Sequence, residues 1–252
     1  MVKQTEKLYE GKAKIVYETD DPKLVIQHFK DDATAFDGKK KGQIQDKGTS
    51  NARISAALFS LLEEKGIKTH YKELLSDSDM LVLKLKIIPV EVIVRNTAAG
   101  SLAERLGYKE GTPLKNTIVE FYYKNDELGD PMLNWDHIQE LGLATPEVLR
   151  ELKKVGLEIN DVLKPFFDDR GLELVDFKLE FGYYGSEIIL GDEISPDTCR
   201  FWDKDTGERL DKDRFRRDLG KVEEAYQEVL TRVLGEENKK TSGCGGGEYC
   251  QR

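Results

Sequence analysis

MLVLKLKIIPVEVIVRN, residues 80–96, changes its pattern at a proline. Leu81, Leu83, Leu85 and Ile87 alternate with Val82, Lys84 and Lys86, the period of a strand. Val90, Val92 and Val94 alternate with Glu91, Ile93 and Arg95, the period of a second strand. Pro89 between them lacks the N–H that a ladder needs. The pattern therefore predicts two strands with a hinge near Pro89. Residues 1–88 would form an N-terminal antiparallel sheet domain with one helix, and residues 89–235 a larger mixed domain. Towards the N-terminus, Leu8–Tyr9, Lys14–Tyr17 and Leu24–Phe29 are short β-rich pieces punctuated by Gly11 and by Asp20–Pro22. Thr49–Ser50–Asn51 offers an N-cap, and Ile54, Leu58, Leu61 and Leu62 follow at helical spacing until Gly66.

Towards the C-terminus, Ser101–Leu106 reads as a short helix stopped by Gly107, and Thr117–Tyr123 as a strand. Thr145 and Pro146 start a longer helix whose apolar stripe is Val148, Leu152, Val155, Ile159, Val162 and Phe166. Pro165 should kink or end it. A final helix is expected from about Asp213 to Leu234 on Phe215, Leu219, Val222, Tyr226, Val229 and Val233. Strands first and mixed elements later indicate an α+β fold rather than a doubly wound parallel one.

Four segments can carry chemistry. In LVDFKLEF, residues 174–181, Val175, Phe177, Leu179 and Phe181 share one strand face, and Asp176, Lys178 and Glu180 the other. Gly182–Ser186 reads as a turn and Glu187–Leu190 as a return strand, which brings Asp192 back beside the charged face. Carboxylates on neighbouring strands suit Mg²⁺, which takes oxygen ligands and keeps room for phosphates; a solvated strand with surface pairs fits the same residues. In LYEGKAKIVY, residues 8–17, Gly11, Lys12 and Lys14 can cradle phosphates or make a polar hairpin turn. In VRNTAAGSL, residues 94–102, Ser101 at a helix start can bind a phosphate that Arg95 clamps, or can simply cap. Residues 191–203, GDEISPDTCRFWD, read as a loop crowded with Asp192, Asp197 and Arg200.

The whole chain has 252 residues and a formal net charge of −9, with 38% hydrophobic and 35% charged residues. That is enough apolar material for a core, and the acidic balance argues against duplex nucleic acid as partner. Neither a secretory signal nor a run of about 20 apolar residues is visible, so no membrane partner is expected. Three cysteines, Cys199, Cys244 and Cys250, make no disulfide framework, and a cytoplasmic protein is the expectation. His28, His70 and His137 show no metal-ligand spacing. The Gly/Cys tail, residues 236–252, reads as a flexible end, with a redox or metal role as the alternative.

Five stretches, LYEGKAKIVY, DDATAFDGKKKGQIQDKG, IPVEVIVRNTAAGSL, LVDFKLEFG and LGDEISPDTCRFWD, run in order from Leu8 to Asp203. Together they closely resemble the SAICAR synthetase family of purine biosynthesis. The resemblance implies an α+β fold with a sheet domain like a kinase small lobe and ATP in the interdomain cleft. It implies an ATP-dependent ligase that joins carboxyaminoimidazole ribotide (CAIR) to L-aspartate through an acyl phosphate. By the same resemblance Gly11, Lys12, Ala13 and Lys14 meet the ATP phosphates. The chain from Lys84 to Ile88 meets adenine, and Lys124 the nucleoside. Glu180 and Asp192 bind Mg²⁺. Arg95, Ser101 and Arg200 hold the ribotide phosphate, Asp197 its ribose, and Lys178 faces the reacting carboxylate, with Asp37 and Asp176 as further site candidates. A homodimer is favoured by the resemblance, without a motif of its own. The alternative is a kinase-like small-molecule phosphotransferase, against which stands the absence of HRD, DFG and APE segments. A non-catalytic nucleotide-binding module would leave Asp176, Lys178 and Glu180 without a task.

Overall fold

The computed structural model describes residues 2–35 and 40–235. In chain order the elements are β1 (Gln4–Glu10), β2 (Lys14–Thr19), β3 (Leu24–Phe29), β4 (Asp32–Ala35), β5 (Lys40–Gln43), α1 (Lys47–Glu64), β6 (Tyr71–Leu74), β7 (Asp79–Leu83) and β8 (Lys86–Thr97). There follow α2 (Gly100–Leu106), β9 (Pro113–Tyr123), a 3-10 turn at Asp126–Leu128, β10 (Met132–Leu133), α3 (Trp135–Glu140), α4 (Pro146–Asp168), β11 (Leu172–Tyr184), β12 (Glu187–Gly191), β13 (Cys199–Asp203), α5 (Asp213–Arg216) and α6 (Val222–Leu234). The fold is α+β. An antiparallel sheet runs β1-β2-β3-β7-β6, a second runs β10-β9-β8-β11-β12 with β13 also paired to β11, and β4–β5 is a small hairpin.

The break between the two sheets lies at Lys84–Leu85 rather than at Pro89. Pro89 is tolerated inside β8 because the ladder to β11 is irregular there. Glu91 pairs with Glu180 and Ile87 with Gly182, so four residues of β8 span two of β11. Glycine is required at 182: a Cβ there would sit 2.8 Å from the Leu85 Cβ, so its absence lets the linker lie on β11.

Each sheet has one apolar working face. On the second sheet, Val92, Val94, Phe177 and Leu179 pack against Leu149, Leu152, Ile159, Leu163 and Phe167 of α4 in one core. The buried line of α4 lies about one residue away from much of the predicted stripe. Val148, Val155, Val162 and Phe166 flank it half-buried. Pro165 does not end α4 early; the helix runs on to Asp168, and the Asp169 amide donates to the Pro165 carbonyl. On the first sheet, Val25, Phe29, Met80 and Val82 join Leu58, Phe59 and Leu62 of α1 in the same core, so apolar packing is continuous from one sheet to the other.

Four further expectations are corrected. Thr49, Ser50 and Asn51 lie inside α1; the helix starts at Lys47 behind Asp46, whose φ is 58°. The predicted last helix is broken, because Asp218, Gly220 and Lys221 all adopt positive φ between α5 and α6. Cys199–Asp203, read as loop, is strand β13. The β11–β12 turn is also tighter than expected: Tyr184 pairs with Glu187 across Gly185–Ser186.

Candidate active site

The opposite face of the second sheet is polar, and register alone assembles it. Antiparallel pairing sets Asp176 between Arg95 of β8 and Arg200 of β13. Lys178 stands beside Ile93, which is opposite Glu120 of β9. Glu180 stands beside Glu91, which is opposite Tyr122. Because side chains alternate, all of these groups project to one side.

Ion pairs lock them. Arg95 donates through Nε to Glu120 Oε2 at 2.7 Å and through Nη1 to Asp176 Oδ2 at 2.7 Å. Arg200 Nη1 donates to both Asp176 oxygens, Oδ2 at 2.8 Å and Oδ1 at 3.0 Å, and Nε donates to Asp213 at 2.9 Å. Ser101 Oγ accepts weakly from Arg95 Nη2 at 3.4 Å. Ser101 is inside α2, whose N-cap is Ala99, so the capping role is not its own. Gly100 has φ +50°, and a Cβ there would sit 2.7 Å from Arg200 Nη2, so glycine is what admits the guanidinium. Lys178 Nζ lies 2.6 Å from both Glu91 Oε1 and Glu180 Oε1, and Lys124 Nζ 2.9 Å from the same Glu180 oxygen. Lys14 donates to Asp192 and, at 2.8 Å, to Glu193. Asp192 takes φ 60°, a conformation uncommon outside glycine.

The electrostatics follow from burial and pairing. Burial alone would lower the Lys14 and Lys178 pKa values. Asp192 and Glu193 reverse this for Lys14, and Glu180, Glu91 and Asp192 for Lys178, so both rise and both stay charged. Burial raises the Glu91 pKa in spite of Lys178. Asp192 goes the other way: burial opposes its charge, but Lys14, Lys178 and Lys124 hold its pKa well below the carboxylate range. Burial, aided by Lys14, drops His70 to about 3 and keeps it neutral.

Two cavities adjoin on this surface. One, of about 460 Å³, has apolar walls from Val16, Val25, Val82, Leu85 and Ile87 and a charged end of Lys14, Lys124, Glu180 and Asp192. Gly11, Lys12, Ala13 and Lys84 also line it. The other, of about 360 Å³, takes Arg95, Ser101, Asp176 and Arg200, and its lining has six cationic side chains against four carboxylates. Lys12, Glu91, Lys178, Asp197 and Lys212 border both. A local cationic surplus thus sits inside a chain of net charge −9.

Of the residues singled out from sequence, all but two line one or both cavities. Ile88 does not: it is 2% exposed in the core, and its neighbour Ile87 faces the cavity instead. Asp37 lies outside the described residues, as do Cys244, Cys250 and the tail. Sequence reading missed Glu91, Glu193, Lys212, Arg216, Gln27 and His70. Gln27 Oε1 and His70 Nε2 are buried without a hydrogen-bond partner among the described residues, although both residues line the larger cavity. The signal for Glu91 was present, since it alternates in step with Arg95. Among the described residues no group of three or more His, Cys, Asp or Glu side chains forms a metal cage, and no helix is long and apolar enough to cross a membrane.

The family model described as SAICAR synthetase matches residues 7–233. The chain belongs to the SAICAR synthetase family. A phosphoribosylaminoimidazole-succinocarboxamide synthase of Pelodictyon phaeoclathratiforme is 62% identical over 233 residues, 92% of this chain and 99% of the relative. The crystal structure of the synthase from Ehrlichia chaffeensis superposes with a TM-score of 0.89 at 50% identity, covering 92% of this chain and all of that one. A SAICAR synthetase solved in complex with ADP gives a TM-score of 0.88 at 50% identity, over 91% of this chain and 98% of that one. SAICAR synthetases are ligases of purine biosynthesis, and this membership leaves the kinase-like alternative without support.

Proposed function

We propose that this protein is the ATP-dependent ligase that joins CAIR to L-aspartate, giving SAICAR, ADP and phosphate, with ATP in the larger cavity and the ribotide in the smaller one. The observation that carries the reading is the junction: a cavity with apolar walls meets a cationic cavity at Lys12, Glu91 and Lys178. An adenine ring suits the apolar end, beside the Lys84–Leu85 link between the two sheets. Its phosphates would then run towards Lys12 and Lys14. Arg95, Arg200 and Ser101 suit a ribotide phosphate at the far end of the second cavity. The carboxylate to be activated and the γ-phosphate would then meet at Lys178.

The chemistry needs that meeting. A carboxylate is a poor electrophile until it carries a leaving group. Its oxygen attacks the γ-phosphorus and ADP leaves; the aspartate amine then attacks the acyl carbon and phosphate leaves. Positioning and charge neutralisation dominate such a transfer. Lys178 orients the attacking carboxylate and balances charge on the transferred oxygens. Glu91, whose pKa burial has raised, stands 2.6 Å from it and would take the proton of the incoming amine. Glu180 and Asp192 fit Mg²⁺, because they are two oxygen donors beside a cavity sized for phosphates, the pattern in which this ion keeps waters and nucleotide oxygens as its other ligands. When bound, Mg²⁺ would neutralise charge on the nucleotide phosphates.

The purified protein with Mg-ATP should release phosphate only when CAIR and L-aspartate are both present, or far faster then. Equal ADP formation without aspartate would favour a phosphotransferase and refute the reading. The expected setting is the cytoplasm, and the expected state a homodimer.

A further inference from the structure

Asp197 borders both cavities, yet its side chain is only 4% exposed, and two of its three polar side-chain partners line neither cavity. Oδ2 is 2.9 Å from Lys47 Nζ and 3.6 Å from Lys212 Nζ. Oδ1 accepts from the Tyr226 hydroxyl at 2.7 Å. Lys47 and Tyr226 are essentially sealed from solvent and line neither cavity. They come from two helices, α1 and α6, while Asp197 comes from the β12–β13 connection.

The placement is rigid. The Gly48 amide donates to Asp31 Oδ1 at 2.9 Å, and a Cβ at 48 would sit 2.3 Å from the Phe29 carbonyl, so the first turn of α1 is pressed onto β3. Tyr226 packs with Ala33 and Ile44. The Asp197 amide donates to Ser195 Oγ at 3.1 Å, which fixes the backbone. A fully buried lysine is expensive unless paired, and an apolar side chain would fill the same space at less cost. What the lysine adds is a fixed partner for one carboxylate oxygen. A carboxylate has about four acceptor sites. Lys47 and Tyr226 occupy one on each oxygen, and the carboxylate borders both cavities.

We infer that Lys47 and Tyr226 are positioning residues for ribotide recognition: they hold the two Asp197 oxygens so that the remaining lone pairs accept hydrogen bonds from the hydroxyls of a ribose at the cavity junction. The inference rests on the reading that Asp197 meets the ribotide. The charged and titratable groups facing Asp197 are Lys47, Lys212 and Tyr226. Burial opposes its charge, and these three hold its pKa far below the usual carboxylate range.

The test compares Asp197→Asn, Tyr226→Phe and Lys47→Met in the full chain. It reads kcat and KM for CAIR, the pH profile of kcat/KM, and the melting temperature. Tyr226→Phe removes one oxygen atom and should raise the CAIR KM about tenfold, the effect of one hydrogen bond to a charged group, with kcat much less affected. Lys47→Met should raise it further and move the acid limb of kcat/KM to higher pH, since only Lys212 and Tyr226 then hold Asp197 ionised. A Tyr226→Phe protein that melts lower but keeps the wild-type CAIR KM would make the contact merely structural and overturn the inference. If Asp197→Asn raises the CAIR KM and Tyr226→Phe does not, the inference alone fails. If Asp197→Asn leaves the CAIR KM unchanged, the reading of Asp197 as a ribotide contact fails and the inference with it. Should Lys47→Met not fold, Tyr226→Phe decides.

Discussion

Replacing Lys178 by methionine removes a charge and keeps the shape of the stem. Glu91 and Glu180 each place an oxygen 2.6 Å from the lost nitrogen, so these oxygens lie within about 5 Å of one another. At an effective dielectric constant of about 20, their repulsion is about 3 kcal/mol. That agrees with the roughly 3–5 kcal/mol seen when a buried ion pair loses one partner. Lys124, 2.9 Å from Glu180, offsets part of it. At about 2–4 °C per kcal/mol for a chain of this size, the melting temperature should fall by roughly 6–12 °C at pH 8.

The variant has a way out: Glu91, its pKa already raised by burial, can take a proton. A carboxyl whose folded pKa exceeds its unfolded value contributes stability below the unfolded pKa and loses it as pH rises through the folded one. The melting gap between wild type and variant should therefore narrow from pH 8 to pH 5.5. Activity should fall by about 10²–10³ at both pH values, the loss expected for one positioned charge on a developing anion. Thermal melts at the two pH values, with phosphate release alongside, check this. A variant that melts within about 2 °C of wild type at pH 8, or whose gap is the same at both pH values, would refute the electrostatic account of the cluster.

Glu180→Gln should leave the melting temperature nearly intact, because it relieves Glu91 of a neighbouring carboxylate, leaves Lys178 paired with Glu91 and keeps an acceptor for Lys124. It should raise the Mg²⁺ concentration for half-maximal activity at least about tenfold, and an unchanged Mg²⁺ dependence would take Glu180 out of the metal site. Asp211 is pushed up to about 7 by burial and by neighbouring Asp213. Its contribution to stability is full below about pH 4 and lost as pH rises through 7. Asp211→Asn should melt lower at pH 5 by the equivalent of about 1–3 kcal/mol, because an amide nitrogen replaces an oxygen that accepts from the Phe201 or Asp213 amide. The fall in melting temperature between pH 5 and 8 should shrink in that variant; a slope matching wild type would contradict it.

Much of the sheet architecture was legible because alternation is a local signal. LVDFKLEF announces one apolar and one charged face, and both faces of β11 form as read. What the sequence does not carry is register. Nothing local says that Asp176 will stand between Arg95 and Arg200, or that Glu91 will meet Lys178. Yet the sign pattern of VEVIVR set antiparallel to DFKLE already pairs Arg95 with Asp176. The hinge was misplaced because a proline normally ends a ladder, and here a bulge opposite Gly182 absorbs it. The last helix was read as continuous because Phe215 and Tyr226 keep helical phase, whereas Asp218 and Lys221 adopt left-handed backbone that neither residue type announces. Lys47 was invisible for a different reason. A lysine ahead of a helix reads as solvated until Asp197, far along the chain, is folded back onto it.

The central claim is that the ribotide carboxylate is activated as an acyl phosphate where the two cavities meet. Labelling the CAIR carboxylate with heavy oxygen and analysing the phosphate released in the full reaction tests it directly. The account predicts one labelled oxygen in each released phosphate. Unlabelled phosphate would contradict it.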